Sequence, residues 1–220
     1  MIASQLISYA IPELKISDPV QKVFERMAEF KISHLPIVNQ QQLLGLIAED
    51  DLIEVEDQNT AVGDLSLSLI NSFILQNQHI YDAIRIFAEQ KLTVLPVLDD
   101  KLNYIGLISI NTMVEYMANI TSVSQPGGII LLEIGTRDNS LAHISQIIES
   151  ENAQVLSSYT DILPDSTKMV VTLKINKTDI SQIVASFLRY NYTILATYNS
   201  SIQNDGNSDR FDALMNYLSF

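Results

Sequence analysis

The residues able to do chemistry in this chain are few, and most of them are carboxylates. Glu49, Asp50 and Asp51 stand together, with Glu54, Glu56 and Asp57 close behind. Such a run offers oxygen ligands to Mg²⁺, which takes only one or two carboxylates from a protein and keeps its other ligands from water or phosphate. The plainer reading is a solvated helix start, since acidic side chains suit the positive end of the helix dipole. The three histidines, His34, His79 and His143, have no second ligand at helical spacing, so no metal signature is present. No Gly-x-Ser-x-Gly elbow occurs, and the seven glycines form no phosphate-cradling loop. Nothing in this set builds a nucleophile, an acid or a base, and the expectation is a protein that is not an enzyme.

Charge and composition narrow the partners. The net charge of −13 argues against nucleic acid, whose backbone is held by clustered Lys and Arg. A phosphate-bearing ligand must overcome that field or bring a cation with it. The chain has no cysteine, which excludes disulfides and thiolate ligands and fits a cytoplasmic protein. No apolar run approaches the roughly 18 to 20 residues of a membrane span, and the N-terminal stretch lacks a basic start and a cleavage site. The sequence therefore predicts no membrane partner and no export. With 47% hydrophobic and 18% charged residues, a packed globular core is expected.

The elements that must position these residues come in two copies. The stretch KISHLPIVNQQQLLGLIAEDDL (31–52) is echoed by KLTVLPVLDDKLNYIGLISINTM (91–113). Pro36 and Pro96 stand 60 residues apart, and Gly45 and Gly106 stand 61 apart, so the second copy carries one extra residue in its turn. A duplicated unit usually packs on its copy, which predicts a pseudo-twofold pair. In the first copy, 13–16 alternates like a strand, and Ser17-Asp18-Pro19 starts a helix, with Ser or Asp as cap and Pro in the first turn. Val20, Val23, Phe24 and Met27 form its apolar face. Strands follow at 34–38 and 43–47, and the acidic run opens a closing helix. The second copy repeats this with a strand at 73–75, a helix carrying Ile80, Ala83, Ile84 and Phe87, strands at 94–98 and 104–108, and a helix at 111–119. The unit is β-α-β-β-α, twice.

Residues 121–128 (TSVSQPGG) have the composition of a linker. Beyond it, strands at 129–134, 155–162, 169–175 and 193–198 alternate with helices carrying Leu141, Ile144, Ile147 and Ile148, then Ile180, Ile183, Val184, Phe187 and Leu188. The second helix starts behind a Thr178/Asp179 cap. That β-α-β-β-α-β order packs two helices on one face of a four-stranded antiparallel sheet. Residues 199–220 read as a polar tail ending in a short amphipathic helix with Phe211, Leu214, Met215 and Leu218. The expected division is 1–60, 61–120, the linker 121–128, 129–198 and the tail, in a mixed α/β (α+β) chain.

On the Leu-Pro-apolar-apolar strand, the apolar-Gly-apolar-apolar strand, the acidic helix start and the duplication, residues 3–117 resemble a tandem pair of CBS domains, a Bateman module. On topology more than motif, residues 127–198 resemble a ferredoxin-like ACT-type domain, and the whole resembles the CBS–ACT proteins of acetoin utilisation. The resemblance implies a regulatory protein that binds an adenosyl compound (AMP, ADP, ATP or S-adenosylmethionine, with Mg²⁺ where phosphates are present) in the cleft between repeats. It also implies a homodimer acting on an unidentified protein target. The family's Gly-x-x-Thr/Ser-x-x-Asp motif is split here. After Gly45 come Ala48 and Asp51; after Gly106 come Ser109 and Thr112. The resemblance gives Asp51 a ribose contact, since an ionised carboxylate only accepts and a diol donates. It gives Ser109 a phosphate or water contact, with Thr112 in the place of the second carboxylate. It makes Ile16, Ser17, Asn77, Leu35 and Leu95 the walls around the adenine. The remaining acids stay on the solvated face, and His34, on the strand that borders the cleft, reads as a partly buried structural imidazole, with a ligand contact as the alternative. In the ACT-like part, Arg137-Asp138-Asn139-Ser140-Leu141 lacks the Pro and Gly of the family's amino-acid-binding turn, so Asp138, Asn139 and Ser140 read as helix caps and the domain as structural or dimerising, with amino-acid sensing as the alternative. Tyr190, Tyr192 and Tyr198 read as edge and interface packing.

Overall fold

A computed structural model describes residues 1–65, 69–135, 140–162 and 167–199. The chain divides into two compact units, Met1–Met117 and Ala118–Phe220. In the first, the apolar stripe of α1 (Val20–Phe30) buries Val20, Val23 and Met27, with Phe24 packed at its margin. Each such side chain contributes roughly 1.5 to 3 kcal/mol by leaving water. The helix stops at Lys31, whose left-handed backbone (φ 53°) aims its N–H back at the Met27 carbonyl. The antiparallel hairpin of β1 (His34–Asn39) and β2 (Gln42–Ala48) follows.

The second copy rebuilds this frame with β3 (Ile74–Leu75), α2 (Ile80–Gln90), β4 (Val94–Leu98), β5 (Tyr104–Ser109) and α3 (Ile110–Ile120). β3 runs parallel to β4, and the expected 13–16 strand of the first copy shrinks to one parallel bridge, Leu14 to Ile37. The turn before each first helix is closed alike: Asp18 takes the Lys15 N–H at 3.0 Å and Gln78 takes the Leu75 N–H at 2.8 Å. Asp18 therefore faces backward instead of capping α1, whose N-cap is Pro19 without a side-chain bond. The extra residue of the second hairpin is Leu102, in the left-handed region at φ 64°, where the first hairpin turns on Gln40 and Gln41 alone (φ 47° and 72°). The closing helix of the first copy contracts to a single 3₁₀ turn, Glu49–Leu52. Carboxylates at Asp50, Asp51 and Glu54 would repel at helical spacing, and Glu56 and Asp57 would stand at the negative end of the dipole.

The copies exchange arms. The 3₁₀ turn Ala3–Leu6 bonds to the second copy through Ala3 N–H to Gln78 O and Ser4 N–H to Gln76 O. The 3₁₀ turn Val62–Asp64 bonds to the first through Val62 N–H to Asp18 O and Gly63 N–H to Ile16 O. Each arm then crosses the glycine of a hairpin: Ile70 bridges Leu46, and Ser8 bridges Leu107. Gly45 (φ +149°) and Gly106 (φ +146°) have no room for a side chain, because a Cβ would collide with Leu69 Cβ or Ile7 Cγ2.

The second unit orders its antiparallel strands β7 (Val155–Ile162), β8 (Lys168–Ile175), β6 (Ile129–Gly135), β9 (Thr193–Tyr198). Ile130, Leu132 and Ile134 of β6 and Met169, Val171, Leu173 and Ile175 of β8 share one face. They pack with Ile144, Ile147 and Ile148 of α4 (Leu141–Ser150) and with Ile183 and Phe187 of α5 (Ser181–Arg189). This is the split β-α-β-β-α-β arrangement. The N-cap of α5 is Ile180, without a side-chain bond, so the expected Thr178/Asp179 cap falls one residue short, and Asp179 takes the Ser181 N–H at 3.0 Å from outside the helix. The expectations for Arg137, Asp138 and Asn139, for part of the turn between β7 and β8, and for the tail from 200 onward lie outside the described residues.

Candidate functional site

The two copies meet at the first residues of β1 and β4. β1 opens at His34, opposite Ala48 at the end of β2; β4 opens at Val94, opposite Ser109 at the end of β5. The residues just before, Ser33 and Thr93, are related by the duplication. Ser33 O accepts the Glu49 N–H at 2.9 Å, and Thr93 O accepts the Ile110 N–H at 2.9 Å. The two also join the copies directly, since Ser33 N–H donates to Thr93 Oγ1 at 3.0 Å. His34 completes the link: its Nδ1 lies 3.1 Å from Thr93 Oγ1, 3.3 Å from Ser33 Oγ and 3.4 Å from the donating Thr93 N–H. Burial lowers the His34 pKa below its ordinary value of about 6.5, against the opposing pull of Asp51 and Asp50. A recess of about 430 Å³ beside this junction is lined by Ser33, Thr93, Glu49, Lys31, Ile32 and the last turns of α1.

Asp51 stands at this end of the hairpin, and its Oδ2 takes the Ala48 N–H at 2.9 Å. On the other side, Ser109 Oγ takes the Thr112 N–H at 3.1 Å and lies 3.0 Å from Thr112 Oγ1. Together these are the two halves of one capping box: the third helical residue reaches back in the first copy, and the cap residue reaches forward in the second. Ser109 is buried, and Asp51 is half-buried.

The other predicted residues are elsewhere. Leu35 and Leu95 are fully enclosed in the core, so neither presents a wall to a ligand. Ile16 and Ser17 lie at the Asn39 end of β1, because Leu14 pairs with Ile37. Five steps of strand, about 17 Å, separate that level from His34. There Ile16, Ser17 and Lys15 line a distinct recess of about 420 Å³ with Val38 and Gln40. In the second copy, Asn77 and Gln76 send their side-chain amides to Asp100 at 3.4 and 3.2 Å. The structure gathers Asp51, Ser109 and Thr112 at the junction end and leaves Ile16, Ser17 and Asn77 out of it. Ser33 and Thr93 are the functional candidates that motif reasoning passed over, while His34 is half-buried as expected. Their signal was the hydroxyl at the same step before each Leu-Pro strand.

In the second unit, Ser140 caps α4 by accepting the His143 N–H at 3.2 Å. His143 Nδ1 lies 2.8 Å from Tyr192 OH, and its ring meets Tyr190 edge to face at 5.3 Å. Burial raises the Tyr192 pKa. Among the described residues, no group of three or more His, Asp or Glu is placed to hold a metal ion, and no helix is long and apolar enough to cross a membrane.

The family model of the CBS domain matches residues 3–57 and 72–119. Inosine-5'-monophosphate dehydrogenase of Bacillus subtilis (strain 168) is 24% identical over 142 residues, 60% of this chain. The match spans 29% of that relative's length. A CBS domain pair/ACT domain protein from Thermotoga maritima is 21% identical, with 54% of this chain and 98% of that one covered and a TM-score of 0.48. CBSX2, solved in complex with AMP, is 22% identical, with 54% and 97% covered and a TM-score of 0.47.

Proposed function

Since this is a tandem CBS-domain protein, we propose that it is a non-catalytic regulator that senses an adenosine-containing nucleotide at the junction of its two repeats. The observation that carries the proposal is the place of Asp51 at the junction end of the first hairpin, where its Oδ2 takes the Ala48 N–H and its charge acts on His34. A carboxylate offers about four acceptor sites, so Asp51 can hold the Ala48 N–H and still accept from the hydroxyls of a ribose. Ser109 and Thr112 serve the opposite side after their mutual bond opens. AMP, ADP, ATP and S-adenosylmethionine form the ligand class, and Mg²⁺ accompanies the phosphates into this acidic surface. A ligand that prefers one arrangement of the repeats shifts the population toward it, and through it a protein target, with a coupling of about 1 to 3 kcal/mol. The working form is a cytoplasmic homodimer, with CBS repeats over 1–60 and 61–120 and an ACT-like domain over 129–198.

Thermal unfolding against AMP, ADP, ATP, S-adenosylmethionine and NAD, with and without Mg²⁺, tests the reading. A ligand at 100 times its Kd adds about 2.7 kcal/mol to the native state. Saturable stabilisation by one nucleotide, lost in Asp51→Ala, is the expected result. A second reading, an interaction scaffold without a nucleotide, draws on the burial of Ser109 and on the use of both motif halves as caps. It predicts no saturable stabilisation at millimolar nucleotide.

A further inference from the structure

His34 breaks the duplication where the repeats touch, since its counterpart is Val94. One of the three groups around its Nδ1 is an obligate donor. Thr93 N–H points at it, and Thr93 Oγ1, already accepting the Ser33 N–H, has its own proton left to give. Ser33 Oγ is the third neighbour. An imidazole nitrogen facing a fixed backbone N–H must be unprotonated, so the ring is neutral with its proton on Nε2. The charged groups that act on the ring are Asp51 and Asp50, on the 3₁₀ turn after β2. Lys31 and Glu49 flank Ser33 and Thr93 in the adjoining recess. From the second repeat, the group presented is the uncharged Thr93.

We propose that His34 is a proton-operated latch between the two repeats, closed when the ring is neutral and opened when Nδ1 takes a proton. A proton arriving from solvent turns Nδ1 from acceptor to donor, and the new N–H then opposes the Thr93 N–H. The imidazolium is drawn instead toward Asp51 and Asp50, and the His34–Thr93 contact is released, leaving the Ser33 N–H to Thr93 Oγ1 bond as the remaining direct tie. The latch needs no nucleotide and holds whether or not one binds.

Burial favours the neutral ring in the folded state, so the unfolded chain binds more protons below pH 6.5. The latch therefore contributes its full stability above about pH 6.5 and loses it as the pH falls toward the folded-state value. NMR titration of the full chain from pH 8 to 5 reads this directly. The His34 Cε1–H and Thr93 amide signals should move together, with one midpoint below about 6.5. In His34→Asn, a side-chain carbonyl replaces Nδ1 as acceptor and does not titrate, so the Thr93 amide should stay flat. The wild-type melting midpoint should then fall further than the variant's between pH 7.5 and 5. A Thr93 amide that ignores the His34 titration, a His34 midpoint at or above 6.5, or parallel melting profiles would each overturn the latch. The wild-type titration alone decides the matter even where the variant folds poorly.

Discussion

The two repeats keep one backbone plan with almost no shared side-chain chemistry. The turn before the first helix is closed by a carboxylate in one (Asp18) and an amide in the other (Gln78). The cap after the second hairpin strand is made by Asp51 reaching back or by Ser109 reaching forward. The hairpin turns on two residues or on a longer loop with Leu102 left-handed, and the closing element is a 3₁₀ turn or three turns of α-helix. What the repeats do share is the glycine under each crossing arm, the leucine and proline inside each core strand and the hydroxyl residue just before it (Ser33, Thr93). A polar bond can be rebuilt from many residue types, whereas a backbone crossing at contact distance admits only glycine.

The largest effect is therefore expected at the shared positions. Gly45→Ala puts a Cβ 2.7 Å from Leu69 Cβ in a backbone region that side chains rarely enter, and Gly106→Ala drives one into Ile7 Cγ2. Each should cost about 2 to 5 kcal/mol in urea unfolding, from backbone strain and overpacking together. Equal losses would confirm that the arms bear on the two hairpins alike. A loss below 1 kcal/mol at either would show that its arm is loosely held.

Next comes the pair that does the same work with different charge. Asp18 is buried, which by itself raises its carboxyl, yet the Lys15 N–H, Lys22 at 2.6 Å and Arg26 at 3.8 Å outweigh this and hold it below the usual range. Asp18→Ala should cost about 1.5 to 3 kcal/mol and Gln78→Ala about 0.5 to 1.5, the difference between charged and neutral bonds. The pH sign follows from the lowered value. The advantage of wild type over Asp18→Asn is complete above about pH 4 and disappears as the pH falls through the folded value. Acid unfolding curves that coincide for the two proteins would make Asp18 no better than its neutral counterpart.

The split motif predicts a smaller effect. Ala48→Ser supplies the missing half of the first capping box and should stabilise by about 0.5 to 1 kcal/mol, while Asp51→Ala should remove about as much. If neither moves the urea midpoint, these residues are not kept for the cap, and the nucleotide reading of Asp51 gains weight.

Much of this was legible in the residues, because apolar spacing alone marks α1, α2, α4 and α5 and the hairpin strands. The closing helix of the first repeat was not, since the six acids between Glu49 and Asp57 suit a helix start and resist its continuation, and only the second effect is seen in the fold. The exchanged arms could not be read either: Ala3 and Val62 bond to residues of the other repeat, and no local pattern records a partner so far along the chain. The site suffered most. Asp51 has the same spacing from its glycine whether it serves a ribose or the Ala48 N–H, and Leu35 and Leu95 face the core because that is what their strand pattern always implied. Ile16 and Asp51 belong to the same repeat yet stand about five strand steps apart, a distance set by the level of the Leu14–Ile37 bridge.

The smallest expected effect tests the odd residue of the duplication. Leu102 holds a left-handed backbone and is 59% exposed, so little packing compensates its strain. Asp99 fastens this longer loop by accepting the Lys101 and Asn103 N–H groups, both at 2.8 Å, so the turn does not depend on the leucine side chain. Leu102→Gly should relieve the strain and stabilise by about 0.5 kcal/mol, after the extra freedom glycine gives the unfolded chain is set against it. A loss of 1 kcal/mol or more in urea unfolding would mean instead that the leucine side chain is held by a contact of its own. The second hairpin would then differ from the first by packing as well as by length.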